Sequence, residues 1–395
     1  MAQQSLTNQP WITSAASRAV LAALASTGAT PRFVGGCVRD GLLGQTSTDL
    51  DIAINQRPED NMELLATAGI KMIPTGLKHG TITAIANGQA FEITTLRVDV
   101  ETYGRHADVA FIDDWFRDAA RRDFTINAIY ADQSGALFDP MGGQADLAAG
   151  RVVFVGDPAQ RIDEDKLRIL RFFRFQARFG RGAADQRALA ACAGATMAGG
   201  IDGLSGERVR DEIFKILALA EADVGPCLAL MAETGVLQRI LPGGFDLSRL
   251  AMSDEDPLRR LSVIATTGVG AGAESIAQRL RLSNKQSRRL AFLMSPPMAF
   301  APDISRPALR QMLHDHGPDA IADLALQQGA TDLATRIPEA TPPRFPLTGR
   351  DAVAAGISPG PAVGERLRQL EENWRAGDFT ASRNELLADL EKLIE

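Results

Sequence analysis

The chain has 395 residues, 45% of them hydrophobic and 23% charged, with a formal net charge of −7 at pH 7. That length predicts more than one module and that balance a folded, core-forming protein, while the negative charge excludes a protein that coats nucleic acid through overall positive charge and leaves the task to local basic clusters. Three scattered cysteines, four histidines and no CxxC exclude a disulfide framework and argue against zinc. No apolar run is long enough to cross a bilayer and the N-terminus lacks a secretory signal, so no membrane contact and a cytoplasmic location are expected.

In chain order, residues 13–26 read as a short Ala-rich helix. PRFVGG (31–36) is a strand running into a glycine turn, 37–43 a short helix, and Thr48–Ile54 an alternating strand. His79–Leu96 reads as a hairpin around the turn pair Asn87-Gly88. From Glu164 onward helical periodicity dominates, with a Pro-rich linker or loop at 338–349. The fold class is α+β: a small mixed sheet with helices, then an elongated all-helical remainder.

The first chemical cluster is GGCVRD (35–40), followed by DLD (49–51). On a strand alternate side chains share a face, so Asp49 and Asp51 project together while Leu50 and Ile52 enter the core. Two adjacent carboxylates repel, and a hard cation such as Mg²⁺ relieves that repulsion. The Gly35-Gly36 turn lets backbone N–H groups approach a triphosphate, Arg39 adds positive charge, and Asp40 is placed to orient it. In RRDFTINAIY (121–130), Asp123 and Asn127 at i, i+4 on a helix face are suited to a ribose hydroxyl, with Arg121 or Arg122 on phosphate. In RIDEDKLRILRFFRFQARFG (161–180), at roughly 100° per residue of one helix, Asp165, Arg168, Arg171, Arg174 and Arg178 form a stripe. RLRLSNKQSRR (279–289) is a basic patch whose Arg279, Arg281, Lys285, Arg288 and Arg289 suit RNA phosphates or a solvated helix end.

These motifs, in this order, resemble the class II CCA-adding enzymes and their poly(A) polymerase relatives in the polymerase β superfamily, from about residue 31 to the C-terminus. The resemblance implies a nucleotidyltransferase head at 1–145, a base-recognising helical neck at 146–218, a body at 219–300 and a tRNA-binding tail at 301–395. It implies Mg²⁺ on Asp49 and Asp51, triphosphate contacts from Gly36 and Arg39, and ribose contacts from Asp123 and Asn127. Glu92 falls where a third catalytic carboxylate often lies, although a solvated strand residue is an equal reading. EDKLR (164–168) matches the family's base-reading motif. Asp165 accepts from the exocyclic amino group of cytosine or adenine and Arg168 donates to the adjacent ring nitrogen, whereas uracil and guanine present the reverse pattern. Arg171 and Arg174 follow along the stripe toward the triphosphate or RNA end. GERVRDEIFKIL (206–217) resembles the helix that supports the base-reading one, Gly142-Gly143 a hinge between head and neck, and 97–118 the family's flexible loop.

The expected activity is therefore addition of C, C and A to a tRNA 3′ end from CTP and ATP, with Mg²⁺. Polyadenylation is the alternative within the family, and a catalytically inactive RNA-binding scaffold the alternative outside it. The HDH triplet at 314–316 reads as a surface helix segment, since further phosphohydrolase ligands are missing. Oligomeric state is left open.

Overall fold

A computed structural model describes residues 6–103, 106–252, 254–266, 272–296, 300, 303–337 and 342–393. They gather into two compact units, Met1–Pro242 and Gly243–Glu395.

The first unit opens with helices α1 (Pro10–Thr13) and α2 (Ala15–Ala25), the latter capped by the Ser14 side chain, which accepts from the Ser17 amide. Strand β1 (Arg32–Val34) leads through the glycine turn to α3 (Gly36–Leu42) and β2 (Leu50–Ile54), as the pattern predicts. Helix α4 (Pro58–Thr67) and edge strand β3 (Lys71–Gly76) escape the sequence reading. The hairpin forms as β4 (Thr81–Ala86) and β5 (Gln89–Thr95). Its loop has φ of 49° at Asn87 and 78° at Gly88, the left-handed pair that a tight two-residue hairpin requires.

Stretch 97–118 differs from the loop expected of it. Its described part is a separate two-stranded antiparallel sheet, β6 (Arg97–Tyr103) with β7 (His106–Phe111), followed by α5 (Trp115–Ala120). Short strands β8 (Tyr130–Ala131) and β9 (Leu137–Phe138) complete the main sheet, whose order is β3-β4-β5-β2-β1-β8-β9. The sheet is mixed, because β2 and β5 run parallel while its other pairs are antiparallel.

Val20, Leu24, Phe33, Ile52, Leu65, Ile82, Phe91 and Ile93 form the main core. A smaller cluster including Val34, Ala53, Leu96 and Tyr130 lies apart from it. Leu50 and Ile52 are buried while Asp51 between them is half-buried, so the period-2 pattern of β2 separates an apolar face from a carboxylate face.

Helices α6 (Gly143–Ala149), α7 (Pro158–Glu164), α8 (Arg168–Phe179), α9 (Gln186–Met197), α10 (Gly206–Leu217), α11 (Glu221–Glu233) and α12 (Val236–Ile240) follow. Two expectations of continuous helix are corrected here. Residues 121–130 are not α-helical: a 3₁₀ turn, Thr125–Asn127, sits between irregular segments. The 161–180 run is two helices, α7 and α8, broken at Asp165. The Asp165 backbone is extended (φ −148°, ψ 106°) and its carboxylate accepts from the Leu167 amide at 3.0 Å. That local side-chain bond competes with helix continuation, as Asp does at turns and caps.

The second unit is helical: α13 (Pro257–Ile264), α14 (Ala273–Arg279), α15 (Asn284–Met294), α16 (Arg306–His316), α17 (Pro318–Gln327), α18 (Thr331–Arg336), α19 (Gly349–Ala354), α20 (Pro361–Ala376) and α21 (Arg383–Lys392). Among its described residues one apolar cluster gathers around Met312, Ile321 and Leu324 and another around Leu347, Leu370, Trp374 and Leu390. The described part of the Pro-rich stretch, 342–347, has no regular structure and ends in the Thr348–Asp351 capping box of α19. His314 is more than a surface residue. Its side chain is 13% exposed, Nδ1 lies 2.8 Å from the Pro343 carbonyl, Nε2 lies 3.2 Å from Glu371, and its ring packs against Trp374 and Phe379.

Candidate active site

Parallel pairing of β2 and β5 places Asp51 directly beside Glu92, with Asp49 just before β2 on the same parity. Burial, the Glu92 charge and more weakly the Asp49 charge push the Asp51 carboxyl up to about 6, against the opposing pull of Arg122. Gly35 overhangs this group. Its φ of 73° is the left-handed conformation that glycine tolerates, and a Cβ built there would lie 3.9 Å from both Asp51 Oδ2 and Arg122 Nη1. Beneath the turn, burial and then Asp51 push the Cys37 thiol up to about 12, which leaves it inert as a nucleophile.

A carboxylate destabilised by its carboxylate neighbours is the donor chemistry of a hard divalent cation. Among the described residues, however, no three acidic, His or Cys side chains close around a cation by themselves. Asp49, Asp51 and Glu92 are near enough to repel without being drawn to ligand spacing. That suits Mg²⁺, which takes one or two carboxylates and completes its shell with water and phosphate oxygens.

Arg121 and Arg122, equivalent in the sequence, are separated by the structure. Arg121 clasps Asp118, with Nε 2.8 Å from Oδ1. Arg122 turns toward the glycine turn and is fixed there by the Tyr130 hydroxyl at 3.1 Å and Asp118 Oδ2 at 3.2 Å. Asp118 is 1% exposed, and burial alone would raise its carboxyl. Arg122 and Arg121 outweigh burial and hold it below the usual carboxylate range. Neither Asp118 nor Tyr130 stood out in the sequence, although Asp118 lies at i−3 and i−4 from the two arginines, a spacing that signals pairing.

Asp123 and Asn127 meet even without the expected helix, Asn127 Nδ2 donating to Asp123 Oδ1 at 3.0 Å. Their remaining polar atoms face protein. Arg39 donates to Asn127 Oδ1 at 2.5 Å, and Arg171 from α8 grips Asp123 Oδ2 through two nitrogens, Nε at 2.8 Å. Arg171 outweighs burial to hold the Asp123 carboxyl low.

At the α7–α8 break, Arg208 of α10 donates to both Asp165 oxygens, at 3.1 and 2.9 Å. The two side chains are 38% and 35% exposed, so this edge is reachable. Arg168 is more enclosed. Nη1 donates to Glu164 at 2.7 Å and Nη2 to the Arg121 carbonyl at 3.1 Å. Arg174 pairs with the buried Glu212 at 2.7 Å. Arg178 reaches Asp40 at 3.4 Å, so each of the four stripe arginines of α8 is paired with an acid. Nothing in the spacing of Arg208 from Asp165 signals the contact. Glu164, by contrast, was legible at i, i+4 from Arg168.

The basic patch of the second unit is only partly available. Arg289 is committed to Asp323, at 2.5 and 2.6 Å, and to Asp256 at 3.0 Å. Arg279 lies at the end of α14 and Arg281 just beyond it, with φ of 50°. Lys285 and Arg288 of α15 line a cleft of about 900 Å³ together with Phe292 and His316, whose ring centroids are 5.0 Å apart.

The family profile described as the poly A polymerase head domain matches residues 31–153, and that of the probable RNA and SrmB-binding site of polymerase A matches 192–247. The mitochondrial CCA tRNA nucleotidyltransferase 1 of Danio rerio is 35% identical over 376 residues, 91% of this chain and 86% of that protein. Its Mus musculus counterpart is 36% identical with the same coverage. The crystal structure of the Bacillus stearothermophilus CCA-adding enzyme in complex with CTP superposes with a TM-score of 0.78 at 25% identity, covering 96% of this chain and 97% of that one.

The cytoplasmic expectation is corrected by these relatives, which are mitochondrial proteins. An N-terminus without secretory features speaks only about secretion, because organelle-targeting segments are built differently. The catalytic expectation fares better: with relatives this similar across nearly its whole length, and a carboxylate-bearing sheet beneath a glycine turn, the chain belongs to the CCA tRNA nucleotidyltransferase family.

Proposed function

We propose that this enzyme adds C, C and A to the 3′ end of tRNA from CTP and ATP. The observation that carries the reading is the in-register pair Asp51 and Glu92 beneath the Gly35 turn, in a chain whose relatives are named for this reaction.

In the proposed reaction the terminal 3′-hydroxyl oxygen bonds to the nucleotide α-phosphorus, the bond to the β-phosphate bridge breaks, and pyrophosphate leaves. Asp49 and Asp51, with Glu92 alongside, would hold Mg²⁺. Bound there, the ion would make the hydroxyl more acidic and neutralise charge on the leaving group. Gly35 and Gly36 keep side chains out of the triphosphate's approach, and Arg122 places a fixed positive charge beside Asp51. Asp165, oriented by Arg208, accepts from the amino group of cytosine or adenine, and Arg168, whose Nη1 and Nη2 rest on Glu164 and the Arg121 carbonyl, would exchange one of those contacts for the ring nitrogen. In this reading residues 1–145 are the catalytic head and 146–218 the base-reading neck. Residues 219–300 are the body, carrying Lys285 and Arg288 as phosphate contacts, and 301–395 the tRNA-binding tail.

Purified protein given tRNA lacking its CCA end, Mg²⁺, and CTP and ATP separately or together tests this. A product ending in CCA is expected. Long A-tracts would favour polyadenylation, the activity named in the matching head profile, and no product would favour an inactive scaffold.

A further inference from the structure

The surroundings of Arg39 do not suit the triphosphate contact expected of it. A guanidinium that grips a triphosphate needs its planar fork open to the ligand. The Arg39 side chain is 7% exposed and each of its three guanidinium nitrogens has a partner within the protein. Nε donates to Asp40 Oδ1 at 2.8 Å, Nη2 lies 2.8 Å from the same oxygen, and Nη1 donates to Asn127 at 2.5 Å. One face is covered by the Phe179 ring, whose centroid is 4.2 Å from the guanidinium carbon, with Phe175 at 5.2 Å.

Each of these contacts leads to the same helix. Phe175 and Phe179 belong to α8. Asn127 passes the connection through Asp123 to Arg171 of α8, and Asp40 reaches Arg178 of α8 at 3.4 Å. Residues 171, 175 and 178 recur at helical spacing, so three successive points along one side of α8 are linked, Arg171 by way of Asp123 and Asn127, to the Arg39-Asp40 dipeptide of α3, the helix that follows the glycine turn. Buried ion pairs add little net stability compared with apolar packing of the same volume, and fixing one relative geometry is the use for which they are best attested. What is fixed here is the distance between the turn over Asp51 and the helix that begins at Arg168, beside the Asp165 edge.

We propose that Arg39 is a positioning residue: a bracket that holds α8 against the glycine turn, setting where the base edge sits relative to the reacting phosphate, while the triphosphate is bound without it. The assignment rests on the nucleotidyl-transfer reading above.

The test compares wild type, Arg39→Lys and Asp40→Asn as full chains with Mg²⁺. Two quantities are measured: the affinity ratio of CTP to CMP, and the kcat/KM ratio for adding C over U to tRNA lacking its CCA end. Lysine keeps the charge and loses the fork. The expected result for Arg39→Lys is a CTP-to-CMP ratio within about twofold of wild type, with kcat for C and the preference for C over U each down roughly tenfold or more, the scale expected of small misplacement. Asp40→Asn leaves Arg39 in place and releases Arg178, so it should shift nucleotide preference in the same direction by less. It carries the test if Arg39→Lys does not fold.

A collapsed CTP-to-CMP ratio with preference intact would make Arg39 a phosphate ligand and overturn the assignment, as would variants indistinguishable from wild type in both ratios. A wild-type chain that adds no nucleotide, or adds C and U alike, would instead sink the functional reading underneath.

Discussion

Asp51 stays ionised in surroundings that disfavour its charge, and that has a cost visible without any substrate. Its carboxyl sits at about 6 in the folded chain against an ordinary 3.8. Between those values the folded state binds more protons than the unfolded one, so stability falls as pH rises through the window and stays lower above it. At 1.36 kcal/mol per pKa unit the deficit at neutral pH is on the order of 3 kcal/mol. Asp51→Asn, measured by thermal unfolding in EDTA, should therefore raise stability at pH 7.5, with the gain shrinking toward zero near pH 4, while nucleotide addition is lost. A variant no more stable than wild type at pH 7.5 would contradict the cost of burying the Asp51 charge beside Glu92. The pairing of Asp49 with Asp51 was legible because strand parity is a local rule. The Glu92 contact was legible only through family resemblance, since it depends on two strands lying parallel across forty residues of chain.

Single segments show where periodicity misleads. The arginine stripe at 161–180 satisfied a helix template, yet Asp165 uses its own carboxylate to bond the Leu167 amide and ends α7 there. The break brings Asp165 to Arg208, a partner 43 residues away that no spacing rule reaches. Asp165→Ala should lower the preference for CTP and ATP over UTP and GTP by on the order of tenfold or more in single-nucleotide incorporation, the scale of losing one base-edge partner. Unchanged preference would remove Asp165 from base reading.

The Gly142-Gly143 pair was expected to act as a hinge, and the structure gives Gly143 a packing reason as well. A Cβ there would stand 2.1 Å from the Thr125 carbonyl oxygen and 2.8 Å from Ile129. Backbone cannot yield as a side chain can, so Gly143→Ala should destabilise by about 1–3 kcal/mol in urea unfolding and lower kcat by displacing the turn that carries Asn127. Close approach between two backbone segments leaves no trace in a sequence beyond the glycine itself, which is why hinge and packing look alike before folding.

At the scale of the molecule, an acidic chain must bind a polyanion. The net charge of −7 means that association with tRNA cannot draw on the whole surface and must come from places where cations are not already spent. In the second unit Arg289 is neutralised by Asp323 and Asp256, and Arg259 is neutralised by Asp323 and Asp254. Lys285 and Arg288 line the cleft beside the Phe292–His316 pair, together with Asp315 and Asp319. Charge counting along the sequence weighted all five basic residues of 279–289 alike, because ion pairing with Asp323 on α17 appears only once the helices pack. Replacing Lys285 and Arg288 together by Gln should weaken tRNA binding and flatten the slope of log affinity against log salt by about 0.7–0.9 for each RNA phosphate that the variant no longer neutralises. Arg289→Gln should instead lower thermal stability by leaving Asp323 short of a partner, with a smaller effect on the salt slope. Titrating tRNA into each variant across a salt series, with CTP affinity as the control, separates the two. A slope that changes with Arg289 but not with Lys285 and Arg288 would move the RNA-facing surface away from this cleft.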